Sequence, residues 1–128
     1  MALDIYIKEN TKLEHTNFQI NLTMYLYLLK ISEEFSEFKF LNFTPDFYGE
    51  YLYNKKNIDT LVNNFTWLYS NVDKVKLKVH TPEQLLDDSN NVVIQNFNEG
   101  KLKKFLMNLI AIFQNVKEKN LELVILGD

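Results

Sequence analysis

Residues 99–126 read EGKLKKFLMNLIAIFQNVKEKNLELVIL and contain both kinds of element that we expect in this chain. Asn98 can cap a helix over about Glu99 to Lys119, because an asparagine side chain accepts hydrogen bonds from first-turn amides. Asn120 stops this helix, and the apolar run Leu121 to Leu126 then predicts a buried strand. The buried stripe of the helix follows the three- and four-residue spacing of one helical face: Leu102, Phe105, Leu106, Leu109, Ile112, Phe113 and Val116.

The amino-terminal third predicts a strand, a turn and a helix. Leu3 to Lys8 alternates between apolar and polar residues, which favours a strand with Leu3, Ile5 and Ile7 inward. We interpret Glu9 to Thr16 as a polar turn. Asn21 or Thr23 caps a helix that runs to about Glu37.

The middle of the chain gives less uniform signals. Asn57 is a good cap for a helix that ends near Val72. Lys74 to His80 alternates strictly, with lysines on one face, and predicts a half-exposed or edge strand. Thr81 to Gln84 has a cap and a proline that favour a short helix ending near Asp88. A short strand follows over Asn91 to Gln95.

Residues 38–53 predict a hairpin. Phe38 to Phe40 and Glu50 to Tyr53 favour strands, and Thr44 to Asp46 is a turn signal between them.

These elements predict the fold class α+β: a small mixed sheet with two or three long amphipathic helices packed on one face. A length of 128 residues is that of one domain, so we expect a single globular domain over residues 1–128.

Composition excludes several kinds of chemistry. The chain has no cysteine, so thiolate metal sites and cysteine nucleophiles are ruled out, and its 3 glycines lie too far apart for a phosphate-binding loop. All basic residues are lysines, and the net charge is −3. Without the arginine fork we expect no nucleic-acid partner. We find no signal peptide and no apolar run long enough to cross a bilayer, and so expect a cytoplasmic protein without membrane contact. We expect no cofactor and no catalytic residue.

Two clusters are open to a metal-binding or catalytic interpretation, although we favour a purely structural explanation for each. His80 lies near Glu83, Asp87 and Asp88 in sequence, which suits a metal. Asp46 and Glu50 lie among aromatic residues, where an apolar setting raises the pKa of a carboxyl group.

The candidate binding surface is acidic and rich in tyrosine. Residues 46–53 read DFYGEYLY, and tyrosine is enriched at binding hot spots. Residues 1–54 hold four lysines and eight acids, a balance of −4, which suits a basic protein partner. The alternative is that the tyrosines cap a small core. The candidate protein-binding residues are Asp46, Tyr48, Glu50, Tyr51, Tyr53, Glu33, Glu34 and Glu37.

The opening strand Leu3 to Ile7, the helix start Asn21-Leu22-Thr23 and the closing segment Asn120 to Asp128 resemble small bacterial domains found beside toxin genes as immunity proteins. Such domains differ widely in fold, so the resemblance implies no functional residue. It implies a protein-binding domain, an immunity protein or antitoxin that neutralises a toxin by direct binding, and the acidic amino-terminal half suggests that such a toxin is basic.

Two alternatives stay open. One is a small enzyme or ligand-binding domain with its pocket between the sheet and the helix over 99–119. The other is a self-associating phage or structural accessory protein, a homo-oligomer, which an exposed apolar patch would favour.

Overall fold

The computed structural model describes residues 2–39, 49–79, 84–86, 92–94 and 99–127. Helices and strands alternate irregularly along these residues. In chain order the elements are β1 (Ala2–Glu9), β2 (Lys12–Asn21), α1 (Leu22–Glu34), β3 (Glu50–Tyr53), α2 (Lys55–Ser70), α3 (Val72–Lys76), β4 (Gln84–Leu86), β5 (Val92–Ile94), α4 (Glu99–Glu118) and β6 (Glu122–Gly127).

The main sheet has four strands in the order β2-β1-β6-β3, so the two ends of the chain pair at its centre. Its neighbouring strands all pair antiparallel, where the sequence suggested a mixed sheet. β4 and β5 form a separate antiparallel ribbon, and β4 contacts α1. The fold class α+β is confirmed.

The hydrophobic core lies on one face of the main sheet. Leu3 and Ile5 of β1 and Leu123 and Ile125 of β6 are 0–1% exposed and belong to it. Alternation along a strand sends these residues to the same side. The helices contribute Leu28, Phe65, Val75, Leu109 and Phe113, among others, to the same cluster.

α4 and β6 form as the sequence predicts. Leu102, Leu106, Leu109, Phe113 and Val116 are at most 1% exposed. Asn120 adopts a left-handed φ of 57°. The Leu121 amide donates to the Val116 carbonyl at 2.9 Å, and the Asn120 amide to the Lys117 carbonyl at 3.1 Å. This pair of bonds is a Schellman motif, which satisfies the last helical carbonyls and turns the chain into β6.

The helix starts agree with the sequence to within one turn. The Asn21 side chain accepts from the Met24 amide at 2.8 Å and caps α1, which ends at Glu34 and not at Glu37. For α2 the cap is Asn54, and the predicted cap Asn57 is instead the third helical residue of a capping box. Both asparagines suit a cap, and the capping box selects the earlier one.

The predicted edge strand over 74–80 is wrong for the described residues 74–79, because Val72–Lys76 is helix α3 and a turn follows. Alternation would bury Leu77 beside Val75 and Val79. Leu77 is 81% exposed, whereas Val72, Val75 and Val79 are at most 4% exposed. The valines are spaced by three and four residues, which one side of a helical turn buries together.

Three further predictions fail. Lys12–Asn21 is a strand, so the polar turn predicted over 9–16 shortens to Asn10 and Thr11. Phe38 and Lys39 lie outside any strand, and β3 pairs with β6, whereas Phe40 and the predicted turn Thr44 to Asp46 lie outside the described residues. Gln84–Leu86 is a strand and not part of a helix, since it pairs with β5.

Candidate functional site

A row of apolar residues crosses the face of the main sheet opposite the core. Tyr6 of β1 lies directly opposite Val124 of β6, and Val124 lies opposite Leu52 of β3. Leu52 is 53% exposed. Val124 lies between the other two side chains and is 3% exposed, although it is not part of the hydrophobic core on the other face. We call this side the outer face; its residues are Asp4, Tyr6, Lys8, Leu13, His15, Gln19, Glu50, Leu52, Glu122, Val124 and Leu126.

Charged side chains border the apolar row on both sides. On one side of the row, Asp4 of β1 and Glu50 of β3 both lie opposite Leu126 of β6. Lys8 and Glu122 lie opposite each other on the other side. Three carboxylates and one lysine give the outer face a formal charge of −2 with His15 neutral.

A β-bulge in β2 shapes one edge of the outer face. Asp4 pairs with Gln19 and Tyr6 with His15, so three residues of β2 lie opposite the single residue Ile5. Asn17 has a left-handed φ of 62°. The Thr16 hydroxyl donates to the Ile5 carbonyl at 2.8 Å and so satisfies a backbone acceptor within the bulge.

His15 is held from both sides of its ring. Its Nδ1 accepts from the Asn17 amide at 2.8 Å, and its Nε2 lies 3.3 Å from Oδ1 of Asp4. The Tyr6 ring meets the imidazole edge-on, with centroids 4.8 Å apart. Gln19 also donates to Oδ1 of Asp4.

These bonds limit the chemistry available to His15. A backbone amide only donates, so Nδ1 is the unprotonated nitrogen of the neutral ring and Nε2 carries the proton toward Asp4. The lone pair that a general base uses is therefore already occupied. The Asp4–His15 pair has the carboxylate–imidazole contact of a catalytic dyad, but its second ring nitrogen is bonded to the Asn17 amide and helps to hold the bulge.

A cavity of about 760 Å³ lies between the turn end of β1 and β2 and the last turns of α4. Half-buried apolar residues from both sides line it: Ile7, Ile112 and Leu121. Two acids and two lysines line it as well, and all four are exposed: Glu9, Glu14, Lys12 and Lys119. The cavity lies where the ligand-binding alternative expects a pocket.

The tyrosines of β3 point away from the outer face. Tyr53 is 4% exposed and belongs to the core, and Tyr51 packs against it. Burial raises the pKa of the Tyr53 hydroxyl far above its ordinary value, and repulsion from Tyr51 adds to this. Tyr53 is therefore not part of a binding surface in this structure. Its neighbours Glu50 and Leu52 are exposed, as strand alternation requires.

The acids at the end of α1 occupy a different element from β3. Glu33, Glu34 and Glu37 are exposed. Glu34 lies 3.9 Å from the ammonium group of Lys78, which also lies 5.6 Å from the centre of the Phe35 ring. A lysine beyond α3 thus partly neutralises this acidic group.

Two predicted clusters lie outside the described residues. These are the candidate positions Asp46 and Tyr48 and the metal cluster of His80, Glu83, Asp87 and Asp88. Within the described ranges, no group of three or more His, Asp or Glu side chains could hold a metal ion.

Strand β2 and the contacts of His15 were not predicted from the sequence. Leu13 and His15 face outward, whereas Phe18 and Ile20 pack toward the core. The bulge adds two residues and so keeps the odd-numbered side chains outward. Leu13 nevertheless lies outward and Glu14 on the side of Ile7, so the apolar residues of β2 follow no single period of two. Asn10 was the available sign of a tight hairpin turn, because asparagine tolerates the left-handed φ of 57° that this residue adopts.

Comparison with protein-family models, curated proteins and solved structures found no match to this chain. Among the described residues, no helix is both long and apolar enough to cross a membrane.

Proposed function

We propose that this chain is a protein-binding domain and that the outer face is its contact surface. The observation that carries the proposal is the row of Tyr6, Val124 and Leu52, with Leu52 half exposed at its end and charged residues on both sides. An apolar centre within a polar rim is the usual anatomy of a protein interface.

The charge of the outer face suggests a basic partner. Asp4, Glu50 and Glu122 outnumber Lys8, and the chain as a whole carries −3. Complementary charge speeds association and disfavours acidic competitors. A partner with an apolar anchor surrounded by lysines or arginines fits this arrangement.

The edges of the described sheet support binding across its face and not by strand addition. β2 is interrupted by the bulge, and β3 is only 4 residues long. Bulges and short edge strands both disfavour pairing with a further strand.

We propose further that the partner is a basic toxin and that the chain acts as an immunity protein or antitoxin. The sequence resemblance and the acidic balance of the amino-terminal part support this form of the proposal. Cytoplasmic residence belongs to the same proposal.

Co-expression with the product of an adjacent toxin gene tests the biological role. We expect the chain to restore growth. We expect Leu52→Lys to abolish the rescue, since it adds to Lys8 a further positive charge that faces a basic partner. Leu77→Lys is the matched control, because Leu77 is an exposed leucine outside the outer face. Failure of the unaltered chain to restore growth would count against immunity.

Calorimetry with the purified pair tests the surface itself. We expect Leu52→Lys to weaken binding at least about tenfold, as loss of an apolar anchor does, and Leu77→Lys to leave affinity unchanged. Equal affinities for both variants would exclude the outer face. Concentration-dependent dimerisation of the free chain, abolished by Leu52→Lys, would instead indicate that a second copy occupies it.

The cavity beside α4 favours a second function, binding of a small molecule. Its volume of about 760 Å³ lies within the range of ligand pockets, roughly 300–1,000 Å³. A ligand bound there would raise the melting temperature, and Ile112→Trp, which fills the cavity, would abolish that increase. An increase that survives this substitution would place the ligand elsewhere.

A further inference from the structure

The imidazole of His15 has no free nitrogen. Nδ1 accepts from the Asn17 amide at 2.8 Å, and Nε2 faces Oδ1 of Asp4 at 3.3 Å. A proton added to the neutral ring has to bind at Nδ1, because Nε2 already carries one. The protonated ring would then direct an N–H group at the N–H group of Asn17.

Protonation and the bond to Asn17 therefore exclude each other. The neutral ring keeps the Asn17 amide bound. The charged ring loses that bond but gains attraction to the Asp4 carboxylate. Each state thus has one stabilising contact that the other lacks, which is what a two-state element requires.

The surroundings of the ring contain few other charges. From β1 it faces Asp4 and Tyr6, and from β2 the neutral Gln19 reaches the same carboxylate. The charged residues that line the adjoining cavity are Glu9, Lys12 and Glu14 of the hairpin and Lys119 beyond α4. Two acids and two lysines there balance, so Asp4 is the dominant electrostatic partner.

The bulge connects the ring to the opposite side of the sheet. The Phe18 amide donates to the Thr16 hydroxyl at 3.3 Å, and that hydroxyl donates to the Ile5 carbonyl at 2.8 Å. The Phe18 ring then lies against Phe105 of α4, with centroids 5.2 Å apart. Thr16 and Asn17 also line the cavity. A change at Asn17 therefore affects both the outer face and the cavity.

We propose that His15 is a pH-dependent latch: its neutral ring holds residues 15–18 in the bulge, and its protonation releases Asn17. The inference concerns the free protein and goes beyond the proposed partner. Imidazole is the side chain suited to this task, since it changes charge between pH 5 and 8.

Nuclear magnetic resonance of the whole chain from pH 8 to pH 5 tests the latch. At pH 8 we expect the ring to carry its proton on Nε2 and the Asn17 amide to be protected from exchange. On protonation, we expect the protection of Asn17, corrected for intrinsic exchange, to fall about tenfold, as loss of one hydrogen bond allows. The Asn17 amide shift should follow the ring with the same midpoint.

His15→Asn is the decisive variant. The amide oxygen of an asparagine can occupy the position of Nδ1 as an acceptor but does not titrate, so Asn17 should stay protected from pH 8 to pH 5. His80→Gln is the matched control, because it removes the other histidine of the chain and should leave the transition unchanged. A ring protonated on Nδ1 at pH 8, or an Asn17 amide indifferent to ring protonation, would overturn the proposal.

Discussion

The two faces of the main sheet are built from the same strands but have opposite environments. On the core face, Leu3, Ile5, Leu123 and Ile125 are at most 1% exposed. On the outer face, Leu52 remains 53% exposed and charged residues flank the apolar row. An antiparallel sheet tolerates this asymmetry because one face packs on helices and the other can meet water or a partner.

β3 shows the contrast within four residues. Tyr51 and Tyr53 turn their rings toward the core, while Glu50 and Leu52 point outward. The aromatic rings that composition associates with binding thus stabilise the fold. Leu52 between the two tyrosines and Glu50 before them stay exposed on the outer face.

The largest expected loss of stability comes from the core that covers one face of the sheet. Phe65 is 1% exposed and packs edge-on against Phe38 and Phe113, with centroids 5.2 and 5.5 Å away. Phe65→Ala should lower the free energy of unfolding by about 3–5 kcal/mol, because it removes buried contacts and leaves a cavity. Urea unfolding followed by circular dichroism measures this loss. Thr66→Ala, one residue along and exposed, should change stability by only about 0.5 kcal/mol.

The second effect depends on pH and separates Tyr53 from its exposed neighbours. Burial raises the pKa of Tyr53 in the folded state, so above about pH 10 the unfolded chain loses a proton that the folded chain keeps. Stability should therefore fall as pH rises above 10, by up to about 1.4 kcal/mol per pH unit from this residue. Urea unfolding at pH 9 to 11 of the natural chain and of Tyr53→Phe checks it. Identical slopes for the two proteins would mean that the hydroxyl is not buried.

The smallest effect is expected on the outer face. Leu52→Ala should cost below about 1 kcal/mol in the free protein, because half of this side chain is already in water. Tyr53→Ala, the next residue of the same strand, should cost several times more. Thermal unfolding of the two variants compares them, and a loss at Leu52 as large as that at Tyr53 would show that both faces are packed.

The elements with strong helical periodicity could be predicted from sequence. α4, its stop at Asn120 and β6 agree closely, since the stripe, the left-handed asparagine and the apolar run act locally. α2 was also predicted, with only its cap displaced from Asn54 to Asn57.

Helix α3 and the candidate site were much less predictable. Alternation at Lys74 to Val79 indicated a strand, but burial of three valines against the helices selected a helix. In β2 the apolar Leu13 lies on the outer face and the charged Glu14 on the side of Ile7, so neither the strand nor the contacts of His15 were visible in the pattern. Of the acids predicted to bind a partner, Glu50 is the one described residue that lies on the outer face.

Local signals, then, determined the fold class, the long helices and the closing strand, because periodicity, caps and turn residues act over a few neighbouring positions. Strand pairing and the helix packing decided the rest: that β6 lies between β1 and β3, that the β3 tyrosines are buried, and that His15 meets Asp4. These are contacts between residues distant in sequence, and their free energy depends on which surfaces meet.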